Sequence, residues 1–345
     1  MNGSLTIARA GLLSTLQDRG RFGLRHLGIP WSGCLVPHWQ QLANNLVRNA
    51  PHTCVIECWE GGLQVNVEDH PVRIAIAGHT SVIASIESAQ RKISLAPMRS
   101  YTAQVGDTIA LTSTGNMRQA VMAIAGLMVE PQLGSASTYA KASLGGLNGN
   151  VLQNGSEIRF DCKPDGPELR CTDPLIAAYQ QTDIRLVMGP QEILFSKDGV
   201  HNLLNEEYEL SSDADRMGVR LSGPAIFHRD DDAKNIVSDA IVPGSIQVPG
   251  NGQPIILLSD AHTAGGYPKV ATVISIDLPL PGLLRAGTRF RFRAISIDEA
   301  IHETRQQHEL VRKTVKNTTP VIADSLSTLV LLANNLIDGV IDGTS

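Results

Sequence analysis

Aromatic side chains are scarce in this chain: Phe, Trp and Tyr make up only 4% of its 345 residues. Nucleic-acid bases would find few stacking partners, and a net charge of −5 supplies no basic excess, so composition argues against a nucleic-acid partner. Long apolar runs are missing too. The nearest, "TLVLLANNLIDGVI" (328–341), is short and broken by Asn and Asp, which argues against a membrane span. Cysteines are five, an odd number, and "MNGSLTIARAGLL" lacks a basic stretch followed by an apolar one. Both features point away from a secreted disulfide framework and towards a reduced, cytoplasmic protein. "CVIEC" (54–58) has no second Cys pair at zinc spacing. On a strand its two thiols share a face, so packing explains them and no metal is expected. A Walker loop, a G-x-S-x-G elbow and an i,i+4 His pair of zincin type are likewise missing.

What the sequence has is many short strand-like runs punctuated by 31 Gly and 18 Pro. "PVRIAIAG" (71–78), "RKISLA" (91–96), "DTIALTS" (107–113), "AVMAIAG" (120–126) and "DIRLVMG" (183–189) are of this kind. So are "GSIQVPG" (244–250), "PIILLS" (254–259), "KVATVISI" (269–276) and "RFRFRAI" (289–295). In the last, Phe290 and Phe292 alternate with Arg289, Arg291 and Arg293, as on a half-exposed strand. Helical spacing is confined to 37–49, 298–316 and 323–337. The pattern predicts a mainly β protein of barrels or sandwiches with a few short helices. Length favours two domains. The Pro-broken stretch 161–183 is the expected boundary, giving domains at 1–165 and 180–300 and a helical tail at 301–345.

The halves share a cadence. "DRGRFGLRHLG" (18–28) lies over "DADRMGVRLSG" (213–223) without a gap, matching Asp18/Asp213, Arg21/Arg216, Gly23/Gly218, Arg25/Arg220 and Gly28/Gly223. A fainter match joins "IECWEGG" (56–62) to "IQVPGNG" (246–252), as a duplicated β-domain would. Read as equivalent strands, "RFGLR" and "RMGVR" each place two guanidiniums either side of a Gly that admits a close neighbour. Such a shelf could bind a carboxylate or phosphate, or could be an Arg–Asp bridge closing a barrel.

Longer strings narrow the reading. "LQDRGRFGLRHLGIPWSG" (16–33), "LGSAST" (133–138), "DRMGVRLSG" (215–223), "GSIQVPGNGQPIILLSDAHTAGGYP" (244–268) and "PGLLRAGTRFRF" (281–292) resemble one family. It is the family of the C-type subunit of 5-oxoprolinase, allophanate hydrolase subunit 2 and the KipA antagonist, with the biotin-dependent carboxyltransferase part of urea carboxylase. The resemblance implies two tandem cyclophilin-like β-barrel domains. It implies a KipI or allophanate hydrolase subunit 1-type companion, a LamB/YcsF-type third subunit, and ATP-dependent hydrolysis of 5-oxo-L-proline to L-glutamate. Carboxyl transfer from biotin to a urea-like substrate and a non-catalytic regulatory role are the alternatives. This sequence contains no Met-Lys-Met biotin-carrier motif. It departs from the family pattern at Val36, where Asp is expected, at Ala136, where Arg is expected, and at His262 and Ala264.

The second half keeps the family strings better, so the candidate site is weighted there. Asp260 follows an apolar strand and can act as a base or hold a lactam N–H; Arg216 and Arg220 can hold a carboxylate or stabilise phosphate charge. Gln247, Thr263, Tyr267 and His262 offer polar contacts, with His262 able to titrate near neutral pH. Gly265 and Gly266 permit close backbone approach. Gln17, Asp18, Arg21 and Arg25 form the matching first-domain motif. ATP is expected at the partner or at the shared surface.

Overall fold

A computed structural model describes residues 2–161, 164–180 and 183–321. The expected helix at 323–337 lies outside the described residues, as does Cys162.

The chain is mainly β. In the first half, two seven-stranded sheets pack face to face. One contains Asn2–Ala10, Leu63–Val67 and Thr108–Ser113; the other contains Leu13–Gln17, Val55–Trp59, Gln119–Ile124 and Val72–Ala77. Between them lies a core that includes Leu5, Ile7, Ile56, Val65, Ile74 and Met122. Cys54 and Cys58 share this core, the packing role their spacing predicts, and burial pushes both thiols up.

The second sheet is buried on both faces. Its outer face, with Val55, Ala75, Val121 and Ala123, joins a second core shared with helix Pro37–Leu46 and the second half. That is why Val55–Trp59 and Val72–Ala77 are continuously buried instead of alternating.

The second half is a closed seven-stranded barrel. Around it run Asp183–Met188, Lys269–Val273, Ser245–Gln247, Ile255–Leu257, Gly218–Ser222, Glu207–Ala214 and Arg289–Ala294. All nine strand-like runs read from the sequence contain strands. Phe290 and Phe292 face the barrel core while Arg289, Arg291 and Arg293 are exposed.

One feature differs from expectation. "RFGLR" is not a strand: positive φ at Gly20, Gly23 and Gly28 bends the chain, and Arg25–Leu27 forms a 3-10 turn. "RMGVR" enters a strand only at Gly218, which lacks a positive φ. A side chain at Gly218 would meet the Ile256 carbonyl at 2.8 Å, so that glycine admits a facing strand. Within the expected boundary, described residues are tied to the first half. Leu169–Arg170 adds to the first-half sheet beside Thr319–Pro320, and Asp173 accepts a 2.7 Å bond from Trp39 Nε1. Helix Ile297–Lys316 returns the chain to the first half, where Asn45 Nδ2 bonds the Val315 carbonyl and the Thr318 hydroxyl.

Candidate functional site

The sequence-predicted residues fall into two neighbouring groups. One forms a seam between the halves, and its hub is Arg216, only 5% exposed. Arg216 sits in the turn before strand Gly218–Ser222, and its backbone carbonyl accepts the Asp260 N–H at 2.9 Å. Its guanidinium forks onto Asp260, Nε to Oδ2 at 3.0 Å and Nη2 to Oδ1 at 3.1 Å. Nη2 also reaches the Gly33 carbonyl at 2.7 Å, and Nη1 bonds Glu57 Oε1. All three nitrogens are engaged. Burial alone would depress this guanidinium, but the Asp260 and Glu57 carboxylates outweigh burial and raise it.

Glu57 is fully buried, and its other contacts explain how it is tolerated. Oε2 accepts the Leu35 N–H at 2.7 Å and Oε1 the Trp59 indole N–H at 3.0 Å. Sequence reasoning passed over Glu57. Its signal was a lone carboxylate inside the apolar run "VIECW".

Gly33 links this hub to the first-domain motif. Its N–H donates to Gln17 Oε1 at 3.1 Å, while Gln17 Nε2 holds Thr15 and the Thr138 carbonyl. A φ of 88° and the Arg19 carbonyl 2.9 Å from any added Cβ restrict position 33 to glycine. Asp18 is wrapped by "SAS" of "LGSAST". It accepts Ser135 Oγ at 2.5 Å, Ser137 Oγ at 2.6 Å, the Ala136 N–H at 2.7 Å and the Gly20 N–H at 2.8 Å. Burial opposes ionisation, yet these bonds hold the Asp18 carboxyl below its ordinary value. Arg21, 1% exposed, bonds the carbonyls of Gln132, Ser135 and Ser137. Burial lowers its guanidinium against the opposing pull of Asp18 and Asp260.

Arg25 crosses the seam. Its Nη2 donates to the Ile241 carbonyl at 2.5 Å and the His262 carbonyl at 2.7 Å, and its guanidinium lies over Trp31. The Ser32 N–H adds a bond to the Ser259 carbonyl at 3.0 Å. The departures at Val36 and Ala136 are both buried. Val36 heads helix Pro37–Leu46 without a side-chain cap, at a position where Asp would supply one.

The second group lines a cavity of about 350 Å³ at one side of the second-half barrel. Arg220, Gln247, His262, Gly265, Gly266 and Tyr267 all line it. Its apolar side is made by Ile241, Leu257 and Ala261. Arg220 Nε pairs with Asp213 Oδ2 at 2.6 Å, and both are well exposed. Gln247 is buried, its Nε2 on the Tyr267 carbonyl at 3.3 Å. An added Cβ at Gly265 would sit 2.5 Å from that Nε2, so a side chain there would displace the Gln247 amide. Asp215 and Met217 also line the cavity and were not singled out from sequence. Thr263, Asp260 and Arg216 do not line it; the Thr263 carbonyl takes the Ile241 N–H at 3.1 Å instead. Asp260 and His262 nevertheless lie on one short loop, so the seam fixes the cavity wall from behind.

An ion-paired arginine, a buried amide and a phenol stand around an apolar wall, a lining that suits a small polar ligand. The surrounding architecture identifies the class. Residues 27–294 match the carboxyltransferase domain, subdomain A and B, and the chain belongs to that family. Among individual relatives, it is 32% identical to the C-type subunit of the Escherichia coli 5-oxoprolinase, over 88% of this chain and 95% of that one. Its counterpart in the Haemophilus influenzae 5-oxoprolinase is 30% identical, over 86% of this chain and 93% of that one. The crystal structure of the K. lactis urea amidolyase superposes with a TM-score of 0.80 at 22% identity, over 90% of this chain and 20% of the other, and shares the fold.

Proposed function

We propose that this chain is the C-type subunit of a 5-oxoprolinase complex, which with its companions hydrolyses 5-oxo-L-proline to L-glutamate using ATP. The observation that carries the reading is the near full-length likeness to the C-type subunits of two bacterial 5-oxoprolinases. The chemistry of the barrel cavity supports it. Arg220 meets the substrate carboxylate, sharing its charge with Asp213. The Gln247 amide pairs with the lactam amide, and the Tyr267 and His262 side chains border the ring. Asp260 and Arg216, engaged with each other, act as positioning residues that hold the loop bearing His262.

An amide is a poor electrophile, and ATP supplies the activation that makes its carbonyl carbon attackable. A cavity of about 350 Å³ is at the small end of ligand sites. Its lining contains one arginine and no lysine, too little positive charge for a nucleotide triphosphate. We therefore place ATP on a KipI or allophanate hydrolase subunit 1-type companion, with a third, LamB/YcsF-type subunit to complete the complex. Membership of the carboxyltransferase family favours a second reading, transfer of a biotin-borne carboxyl group to a urea-like acceptor. A biotinylated protein in the assembled complex would favour that reading.

The test is reconstitution. The chain with both companions should release glutamate and ADP from 5-oxoproline and ATP, while the chain alone is inactive. Arg220→Ala should raise KM about tenfold or more, from loss of one charged contact. Absence of turnover from correctly assembled subunits would overturn the reading.

A further inference from the structure

One wall of the barrel cavity does not belong to the barrel. It is a ribbon of two short strands, Asp239–Ala240 paired antiparallel with Ala264–Gly265, outside the seven strands that close. Ile241, His262, Ala264 and Gly265 of the ribbon and its flanks line the cavity. Two-residue strands do not hold together unaided in water. Asp239, Ala240, His262 and Ala264 are exposed, so apolar burial gives these positions little support. Ile241, 3% exposed, packs on Leu257 and Ala261 and anchors one end. Backbone bonds run from the Ile236 N–H to the Gly266 carbonyl at 2.9 Å and from the Ile241 N–H to the Thr263 carbonyl at 3.1 Å.

Two cations, one from each half, grip this ribbon. From the barrel, Lys269 Nζ bonds Asp239 Oδ2 at 2.7 Å and the Ala240 carbonyl at 3.0 Å. The Lys269 side chain is 12% exposed, so its charged bond is largely shielded from water. Gln191 completes the grip. Its Nε2 donates to Asp239 Oδ2 at 2.9 Å, and its Oε1 accepts the Lys269 N–H at 2.9 Å. From the first half, Arg25 Nη2 donates to the Ile241 carbonyl at 2.5 Å and the His262 carbonyl at 2.7 Å. Both cations hold backbone carbonyls, so they fix where the ribbon itself stands. The ribbon in turn confines Gln247: Gly265 stands against its amide, and its Nε2 bonds the Tyr267 carbonyl at 3.3 Å. A displaced ribbon would free that amide and move His262.

We propose that Lys269 and Arg25 are positioning residues, which hold this ribbon against the barrel and so set where Gln247 and His262 stand in the cavity. Through Arg25 the first half takes part in recognition at the second. The kinetic part of the inference rests on the 5-oxoprolinase reading; the grip on the ribbon does not.

Amide hydrogen exchange of the full chain, followed by mass spectrometry, tests the grip. Lys269→Met and Arg25→Met are compared with Arg289→Met, which breaks an exposed pair with Glu209 elsewhere on the barrel. In the first two, segments 236–241 and 263–267 should exchange about tenfold faster or more, from loss of a charged hydrogen bond. Strand Asp183–Met188 should keep its protection, and the Arg289→Met protein should match wild type throughout. In the assembled complex, Lys269→Met and Arg25→Met should each raise KM about tenfold while kcat stays within about twofold of wild type. Unchanged ribbon exchange, faster exchange spread over the whole barrel, or faster ribbon exchange with a wild-type KM would each overturn the proposal. If the wild-type complex releases no glutamate, the substrate reading fails, and ribbon exchange alone decides whether the two cations hold the wall.

Discussion

Arg216 shows how a residue with the composition of a ligand site can be engaged as a tie between two halves. Removing it leaves Glu57 and Asp260 as buried, unpaired carboxylates, each expensive to keep charged. Arg216→Ala should therefore destabilise the fold by about 3–5 kcal/mol, read as a lower urea midpoint. Arg220→Ala, which breaks an exposed pair, should change stability by no more than about 1 kcal/mol while weakening substrate use. A stable Arg216→Ala protein would contradict the assignment of Arg216 as a structural tie.

Acid sensitivity is also set by single residues. His38 is buried against Tyr179, and burial pushes it down to about 4 despite the pull of Asp173. Its folded value lies below its ordinary value of about 6.5, so the unfolded chain binds the extra proton first. Stability from a neutral His38 is complete above about pH 6.5 and is lost as pH falls towards 4, an effect of about 3 kcal/mol. Equilibrium unfolding from pH 4 to 7 should show this slope, and His38→Gln should flatten it. Asp18 acts lower. Its carboxyl is held below the usual range, so its contribution is present above about pH 4 and lost as pH falls through its folded value.

At the scale of elements, alternation and turn residues made the barrel strands and the two longer helices legible. Ile297–Lys316 begins with Ser296 and Glu299 bonding reciprocally, a capping box, and ends in basic residues. Ser296→Ala should cost about 1 kcal/mol, measurable by thermal or urea unfolding. The cadence shared by "RFGLR" and "RMGVR" misled at this scale, because a run of residue types does not record φ. Positive φ at Gly23 and Gly28 makes the first copy a turn, while Gly218 begins a strand. The candidate site was half legible for a related reason. Arg220, Gln247, His262, Gly265, Gly266 and Tyr267 come together because they lie on neighbouring strands and one loop. The partner that engages Arg216, Glu57, lies 159 positions away on a first-half strand, and nothing local announces such a contact.

For the whole molecule, the two halves are joined through polar ties as well as a shared core. Arg216, Gly33 and Arg25 each bond across the seam, and helix Ile297–Lys316 returns from the barrel to helix Pro37–Leu46. Among the described residues no helix is long and apolar enough to cross a membrane. The barrel cavity sits beside the seam, so an intact seam is a condition for its shape. Gly33→Ala should disturb both at once, lowering the urea midpoint and raising KM together in the assembled complex. The central claim is tested most directly by 5-oxoproline-dependent glutamate release from the chain assembled with the two proposed companions. The account predicts ATP-dependent release with wild-type chain and a KM raised about tenfold or more by Arg220→Ala at unchanged stability. Assembled complex that releases no glutamate, or an Arg220→Ala complex as active as wild type at low substrate, would contradict it.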